Sequence, residues 1–251
     1  MIEVAADESA LFGSDFHLSV DDPATAEQVL SALAQYGQHS QHLFLLGDLF
    51  EVWVGDDGAD ALAERFAAVL RSIGQGGTQM WLMRGNRDFL LGDAFVQRCG
   101  AQLIEDPAPV VLQGRAALLA HGDALCTDDL AYQQWRATCR NPAWQQAFLS
   151  RTLAERQLMG RQARQASEAG KRERSDDIMD VNAQTVAQTL ETASCHWLIH
   201  GHTHRPADHH ASFNGRTLRR TVLSDWSAQD QRGGLLRVSR DKVETLTGET
   251  H

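Results

Sequence analysis

Five times in this chain a short apolar run breaks off into residues that ligate metals, and that recurrence constrains the fold more than any other feature. Ala10–Phe12 runs into Gly13-Ser14-Asp15-Phe16-His17, and His42–Leu46 into Gly47-Asp48. Met80–Met83 leads to Gly85-Asn86-Arg87-Asp88, Ala116–Ala120 to His121-Gly122-Asp123, and Trp197–Ile199 to Gly201-His202-Thr203-His204. Continuous apolar runs this short, bounded by glycine, read as buried strands. Helical patterns separate the first three. Pro23 opens one with Ala26, Val29, Leu30 and Leu33 on one face; Leu62, Phe66, Val69 and Ile73 form a second that Gly74, Gly76 and Gly77 stop. Strand alternating with helix predicts an α/β core. Open α/β sheets carry their sites just past the carboxyl ends of strands, so the five segments are expected to converge. Val110–Leu112 and Ala116–Ala120 read as a hairpin around Gln113-Gly114, and Thr221–Leu223, Leu235–Val238 and Val243–Leu246 as further short strands.

The converging set holds four imidazoles, several carboxylates and one amide carbonyl, and no thiolate. That mix suits a borderline-hard divalent ion such as Mn²⁺ or Fe²⁺ better than a structural zinc site. It also exceeds the needs of one ion. Two ions bridged by Asp48 accommodate the surplus, as in two-metal hydrolysis of phosphate esters. A single histidine or Gly-Asp turn is more often structural than not. All five in order, each after an apolar run, are hard to explain as packing.

Composition narrows the setting. A chain of 251 residues, 43% hydrophobic, can bury a substantial core as one domain with an inserted cap. The 33 acidic residues against 23 basic give a formal charge of −10, which repels polyanions, so nucleic acid is not an expected partner. There is no apolar run of the ~18–20 residues that a membrane-spanning helix needs. Glu3, Asp7 and Glu8 give the N-terminus the wrong charge for a signal peptide. Cys99, Cys126, Cys139 and Cys195 form no CxxC pair, so they predict buried thiols in a reducing compartment. Ala131–Ser194 is helical in pattern and carries Trp135, Trp144, Phe148, Leu149 and Leu153. Within it, residues 151–174 hold seven basic side chains against three glutamates, a net +4 in an acidic protein. The plain reading is an amphipathic helical hairpin with a solvated face. The functional one is a cap that offers cations to an anionic ligand and apolar surface to a greasy one.

The order D-x-H, GD, GN, H, GHxH resembles that of the calcineurin-like metallophosphoesterases. The runs Gly47-Asp48-Leu49-Phe50-Glu51-Val52-Trp53, Gly85-Asn86-Arg87-Asp88-Phe89-Leu90-Leu91-Gly92, Cys126-Thr127-Asp128-Asp129, Ile178-Met179-Asp180-Val181-Asn182 and His200-Gly201-His202-Thr203-His204-Arg205-Pro206 are similar to the branch that acts on UDP-2,3-diacylglucosamine in lipid A biosynthesis. The resemblance implies a four-layer α/β/β/α sandwich, one domain over residues 1–251, with a helical cap inserted at about 130–180. It implies two Mn²⁺ per chain, one on Asp15, His17, Asp48 and His204 and the other on Asp48, Asn86, His121 and His202. Asp48, Asn86, Arg87 and His121 fall at catalytic positions. Asn86, Arg87, Asp129, Ser167, Lys171, Arg174 and His202 fall where the family contacts substrate. It further implies release of UMP and 2,3-diacylglucosamine 1-phosphate, peripheral attachment to the cytoplasmic side of the inner membrane, and no obligate protein partner. Phe16 and Arg84 depart from residues common in the family, and neither is a ligand.

One position speaks to the chemistry directly. Most metallophosphoesterases carry histidine after the Gly-Asn step; here it is Arg87, which cannot release a proton at any working pH. A substrate that tolerates this needs a good leaving group, and a departing phosphomonoester, with a second pKa of about 6, is one. A phosphodiesterase for soluble nucleotides would need no apolar cap, and a non-catalytic scaffold would be expected to have lost ligands.

Overall fold

A computed structural model of the chain describes residues 1–173 and 180–247, with side chains described outside 167–173. The first half winds as the alternation predicts. After β1 (Ile2–Val4), β2 (Ala10–Gly13) leads to α1 (Pro23–Gly37), β3 (His42–Leu46), α2 (Ala61–Gln75) and β4 (Gln79–Met83). Asp22 caps α1 by accepting from the Thr25 N–H at 3.1 Å, and Asp60 caps α2 by accepting from Ala63 at 2.9 Å. The buried stripe of α2 is Leu62, Phe66, Leu70 and Ile73, with Val69 half-buried beside it. The helix continues through Gly74 and ends at Gly76.

Then come α3 (Asp93–Arg98), β5 (Gln102–Leu103), β6 (Ala108–Leu112) and β7 (Arg115–Ala120). β6 and β7 pair antiparallel around Gln113 and Gly114, whose φ of 52° and 78° match a two-residue hairpin turn. The long helical stretch resolves into α4 (Leu130–Cys139), α5 (Pro142–Leu149), α6 (Leu153–Glu173) and α7 (Ala183–Thr192), not a hairpin. Asn141 breaks the first two by capping α5 ahead of Pro142. The chain closes with β8 (Trp197–His200), β9 (Ala207–Phe213), β10 (Arg216–Val222), β11 (Leu235–Ser239) and β12 (Lys242–Leu246). β9 gave no sequence signal because it is a largely exposed edge strand without an apolar alternation.

The strands form two six-stranded sheets, ordered β12-β11-β2-β3-β4-β5 and β1-β6-β7-β8-β10-β9. Period-two alternation decides the layers. In β3, Leu43 and Leu45 face the helices α1–α3 with Val29, Leu33, Phe66 and Phe95, whereas Phe44 and Leu46 face the other sheet with Val110, Leu119 and Ile199. Leu118 and Leu198 cover the far side against Val186 and Leu190 of α7. The result is an α/β/β/α sandwich, and strands buried on both faces explain the unbroken apolar runs.

Candidate metal centre

β2, β3 and β4 run parallel in one sheet, β7 and β8 parallel in the other, and the loops after all five meet at one end. Backbone bonds lock those loops together. The N–H groups of Asp15 and His17 donate to the carbonyls of Gly47 and Asp48 at 3.1 and 3.0 Å, and that of Gly201 to His121 at 2.9 Å. Across the sheets, the His202 N–H reaches both carboxylate oxygens of Asp15 at 2.9 and 3.0 Å.

The backbone here is left-handed at five non-glycine residues: Asp15, His17, Asp48, His202 and His204 have φ between 48° and 68°. Such conformations cost about 1 kcal/mol or more each and persist where the surroundings over-determine them. Two glycines leave the room required. A Cβ on Gly85 would stand 2.2 Å from the Asp48 carboxylate, and one on Gly201 2.2 Å from that of Asp15.

Two donor clusters result, Asp15–His17–His204 and Asp48–His121–His202, each with its ligand atoms within 4.8 Å of one another. Asp48 lies between them, with Oδ1 3.6 Å from His121 Nε2 and Oδ2 3.9 Å from His17 Nε2. Asn86 joins the second cluster, its Oδ1 2.9 Å from His121 Nε2. Three rings turn Nε2 inward and rest Nδ1 near an acceptor. His121 Nδ1 donates to the Leu46 carbonyl at 2.9 Å, His17 Nδ1 lies 2.8 Å from Glu51, and His204 Nδ1 lies 3.6 Å from Asp225. The inward Nε2 atoms then face other lone pairs. Those of His17 and His204 are 3.3 Å apart. A cation between them would resolve this encounter, and the N,O donor set, without thiolate, fits a divalent metal ion.

The electrostatics agree. Burial opposes the ionised Asp15 carboxyl, but the imidazoles of His204, His121 and His17 hold it below the usual carboxylate range. Burial also works against the His121 cation, yet Asp48, Asp123, Asp15 and Asp106 raise it to about 9; burial and that neighbouring charge push His202 down to about 4. Glu51 is desolvated but kept near 2 by His17, Arg87 and Arg164. The buried carboxylates therefore favour positive charge at His121, while His202 is held neutral.

Other expected residues fall in different places. The guanidinium of Arg87 stands 3.6 Å from Glu51, and its backbone N–H donates to Asp48 at 2.7 Å. Asp129 caps α4 by accepting from the Tyr132 N–H at 3.0 Å. Ser167 and Lys171 belong to α6 but their side chains are outside the described set, and Arg174 lies outside the described residues. Asp88 accepts backbone N–H bonds from Asp48, Leu49 and Gly85, pinning two strand ends together. Asp123 accepts from Tyr132 and Arg136 at 2.5 and 2.8 Å, which fastens α4 to the site. Sequence reasoning missed Glu51 and Asp225 as supports, because a carboxylate in a loop does not reveal the partner it meets. A cavity of about 590 Å³ opens beside Glu51, lined by Leu18, Val20, Trp53, Arg161 and Arg164 among others.

No family model matches the chain. Vacuolar protein sorting 29 from Cryptosporidium parvum overlays with a TM-score of 0.46 at 10% identity, over 96% of this chain and 97% of that one, too loose a likeness to argue from. Relatives by sequence are far nearer. A UDP-2,3-diacylglucosamine hydrolase of Marinobacter nauticus is 47% identical over 218 residues, 87% of this chain and 89% of the relative. Those of Serratia proteamaculans and Pseudomonas paraeruginosa are 41% and 42% identical, covering 95% and 88% of this chain and 98% and 92% of theirs. With identity at this level across nearly the whole of both partners, the chain belongs to the UDP-2,3-diacylglucosamine hydrolase family.

Proposed function

We propose that this protein hydrolyses the diphosphate bond of UDP-2,3-diacylglucosamine by attack of water on the α-phosphorus, releasing UMP and 2,3-diacylglucosamine 1-phosphate for lipid A biosynthesis, with two Mn²⁺ as cofactor. The observation that carries the reading is the pair of donor clusters meeting at Asp48, in a chain whose relatives bear that substrate in their names. Asp15, His17, Asp48 and His204 would hold one cation, and Asp48, Asn86, His121 and His202 the other. When bound there, two such cations would supply a nucleophile from water at neutral pH and would offset charge on the phosphoryl oxygens. The remaining work belongs to the chain. Asp48 and Asn86 orient the centre, and Arg87 offers paired N–H donors to phosphoryl oxygens. No protein acid is required, because the leaving phosphomonoester is stable as an anion. Asp129, Ser167, Lys171, Arg174 and His202 are the further substrate contacts of this reading.

The cap fits the rest of the molecule to be bound. Its cavity combines the aliphatic Leu18 and Val20 with Arg161 and Arg164, which suits acyl chains next to phosphate. Large apolar side chains stand exposed on α4, α5 and α6, namely Leu130, Trp135, Leu149 and Leu158. Among the described residues no helix is long and apolar enough to cross a membrane. Those exposed groups and the basic run of α6 support peripheral attachment to the cytoplasmic face of the inner membrane, where the substrate's chains reside. The test is UMP release from UDP-2,3-diacylglucosamine with added Mn²⁺, against bis-p-nitrophenyl phosphate and UDP-N-acetylglucosamine. Rapid release from the diacylated substrate alone, abolished by Asp48→Ala and by chelation, is the expected result. Equal turnover of the soluble esters would leave a phosphodiesterase and overturn the lipid assignment.

A further inference from the structure

Glu51 occupies a position that the reaction as written does not use. It follows Asp48 in the loop after β3, and its backbone N–H donates to the Leu18 carbonyl at 3.1 Å, while Leu18 donates to Leu49 at 3.0 Å. Those bonds fix the loop directly against the Asp15–His17 turn. The side chain is 12% exposed and points back under the site. One carboxylate oxygen, Oε2, lies 2.8 Å from His17 Nδ1. The other, Oε1, is 3.0 Å from Nε of Arg164 on α6 and 3.6 Å from Nη1 of Arg87. One acidic group therefore touches an imidazole of the metal centre, the phosphate-facing arginine and the cap.

The chemistry of that placement is specific. A carboxylate at Nδ1 favours the tautomer that carries its proton on that nitrogen and leaves the Nε2 lone pair free, aimed at His204 and Asp48. His121 obtains the same orientation from a neutral carbonyl, that of Leu46, which has no link to the cap. At Glu51 the orienting group is charged and its second oxygen is spent on α6. We infer that Glu51 is a positioning residue that sets His17 for a cation and, through Arg164, locks α6 against the metal centre. The inference rests on the cation reading above but not on the identity of the substrate.

The experiment compares the wild-type chain with Glu51→Ala, Glu51→Gln and Arg164→Ala by calorimetric titration of Mn²⁺ into metal-stripped protein and by amide hydrogen exchange of residues 153–166. Two Mn²⁺ are expected to bind the wild type. Glu51→Ala weakens one of those sites by about tenfold to a hundredfold, the usual effect of removing such a partner, and leaves the other in place. Glu51→Gln, which keeps an oxygen for the ring N–H, weakens the same site less. Arg164→Ala leaves both Mn²⁺ affinities within about twofold, and α6 exchanges faster in it and in Glu51→Ala. Wild-type affinity at both sites in the two Glu51 variants, or unchanged exchange in α6, overturns the inference. If the alanine variant does not fold, the glutamine variant decides by the same criterion, one weakened site against two unaltered ones. A wild-type chain that binds no Mn²⁺ overturns the cation reading itself.

Discussion

Arg87 shows how much chemistry one side chain can exclude. Its backbone N–H donates to Asp48 Oδ1 at 2.7 Å, so the residue is bound to the centre whatever its side chain does. The guanidinium, 10% exposed, stands beside Glu51, ready to form paired hydrogen bonds but unable to give up a proton. Arg87→Asn or Arg87→His is therefore expected to leave Mn²⁺ binding intact and to lower kcat/KM on the diphosphate about ten- to a hundredfold, equivalent to about 1.4–2.8 kcal/mol. Steady-state kinetics beside a metal titration checks it, and full activity in the histidine variant would sink the clamp. This residue was legible in the sequence because its oddity is local, an arginine after Gly85-Asn86. Glu51 was not, because a carboxylate in a loop is most often solvated, and only its partners show otherwise.

At the scale of elements, polar and charged side chains reaching down hold the cap beside the apolar packing of Trp144, Phe148, Leu153 and Met159. Tyr132 and Arg136 of α4 and Arg140, its C-cap, recur at four-residue spacing. The first two donate to Asp123, and Arg140 donates to the Gly85 carbonyl at 2.9 Å. On α6, Arg156 is 3% exposed and donates to the Val54 carbonyl at 2.5 Å and to Asp57 at 2.8 Å. Asp57 is well exposed, so the ion pair itself contributes little; the buried carbonyl left without a donor is the larger loss. Arg156→Ala is thus expected to cost about 1–3 kcal/mol and to lower Tm by a few degrees. It should raise KM for the diacylated substrate while sparing bis-p-nitrophenyl phosphate, as calorimetry and parallel kinetics would reveal. An unchanged KM for the diacylated substrate would detach this helix from substrate binding. The helical character of the segment could be read from its pattern. Its division at Asn141-Pro142, and the partners of Arg156 at separations of 99 and 102 residues, could not.

Over the whole molecule, the formal charge of −10 and the basic cap pull in opposite directions at an anionic surface. Arg151 and Arg161 are exposed and share that end with Leu149 and Leu158. Binding to vesicles containing phosphatidylglycerol is expected to be measurable at low salt, to fall steeply at high salt and to be absent on phosphatidylcholine alone. At about 1 kcal/mol for each basic residue near the surface, Arg151→Gln with Arg161→Gln should lose an order of magnitude or more in co-sedimentation. Equal binding by the double variant would place the contact elsewhere.

Strand ends, ligand types and their order are properties of short segments, and the sequence alone determined them. Each of the five apolar runs is too short for anything but a buried strand, and each ends on a residue whose side chain needs a reason to sit beside a core. That pattern offered Asp15, His17, Asp48, Asn86, His121, His202 and His204 as candidates beside Asp88 and Asp123, and the family resemblance singled the seven out. The tertiary structure alone decided how those residues are supported. Leu46 offers its carbonyl to His121, Glu51 binds His17 and α6, Asp225 stands by His204, and Asp88 ties Gly85 to Asp48. Such contacts join residues from different segments through one or two atoms. Hydrophobic periodicity carries no trace of them, because it records which face of an element is buried and not what a polar side chain meets there.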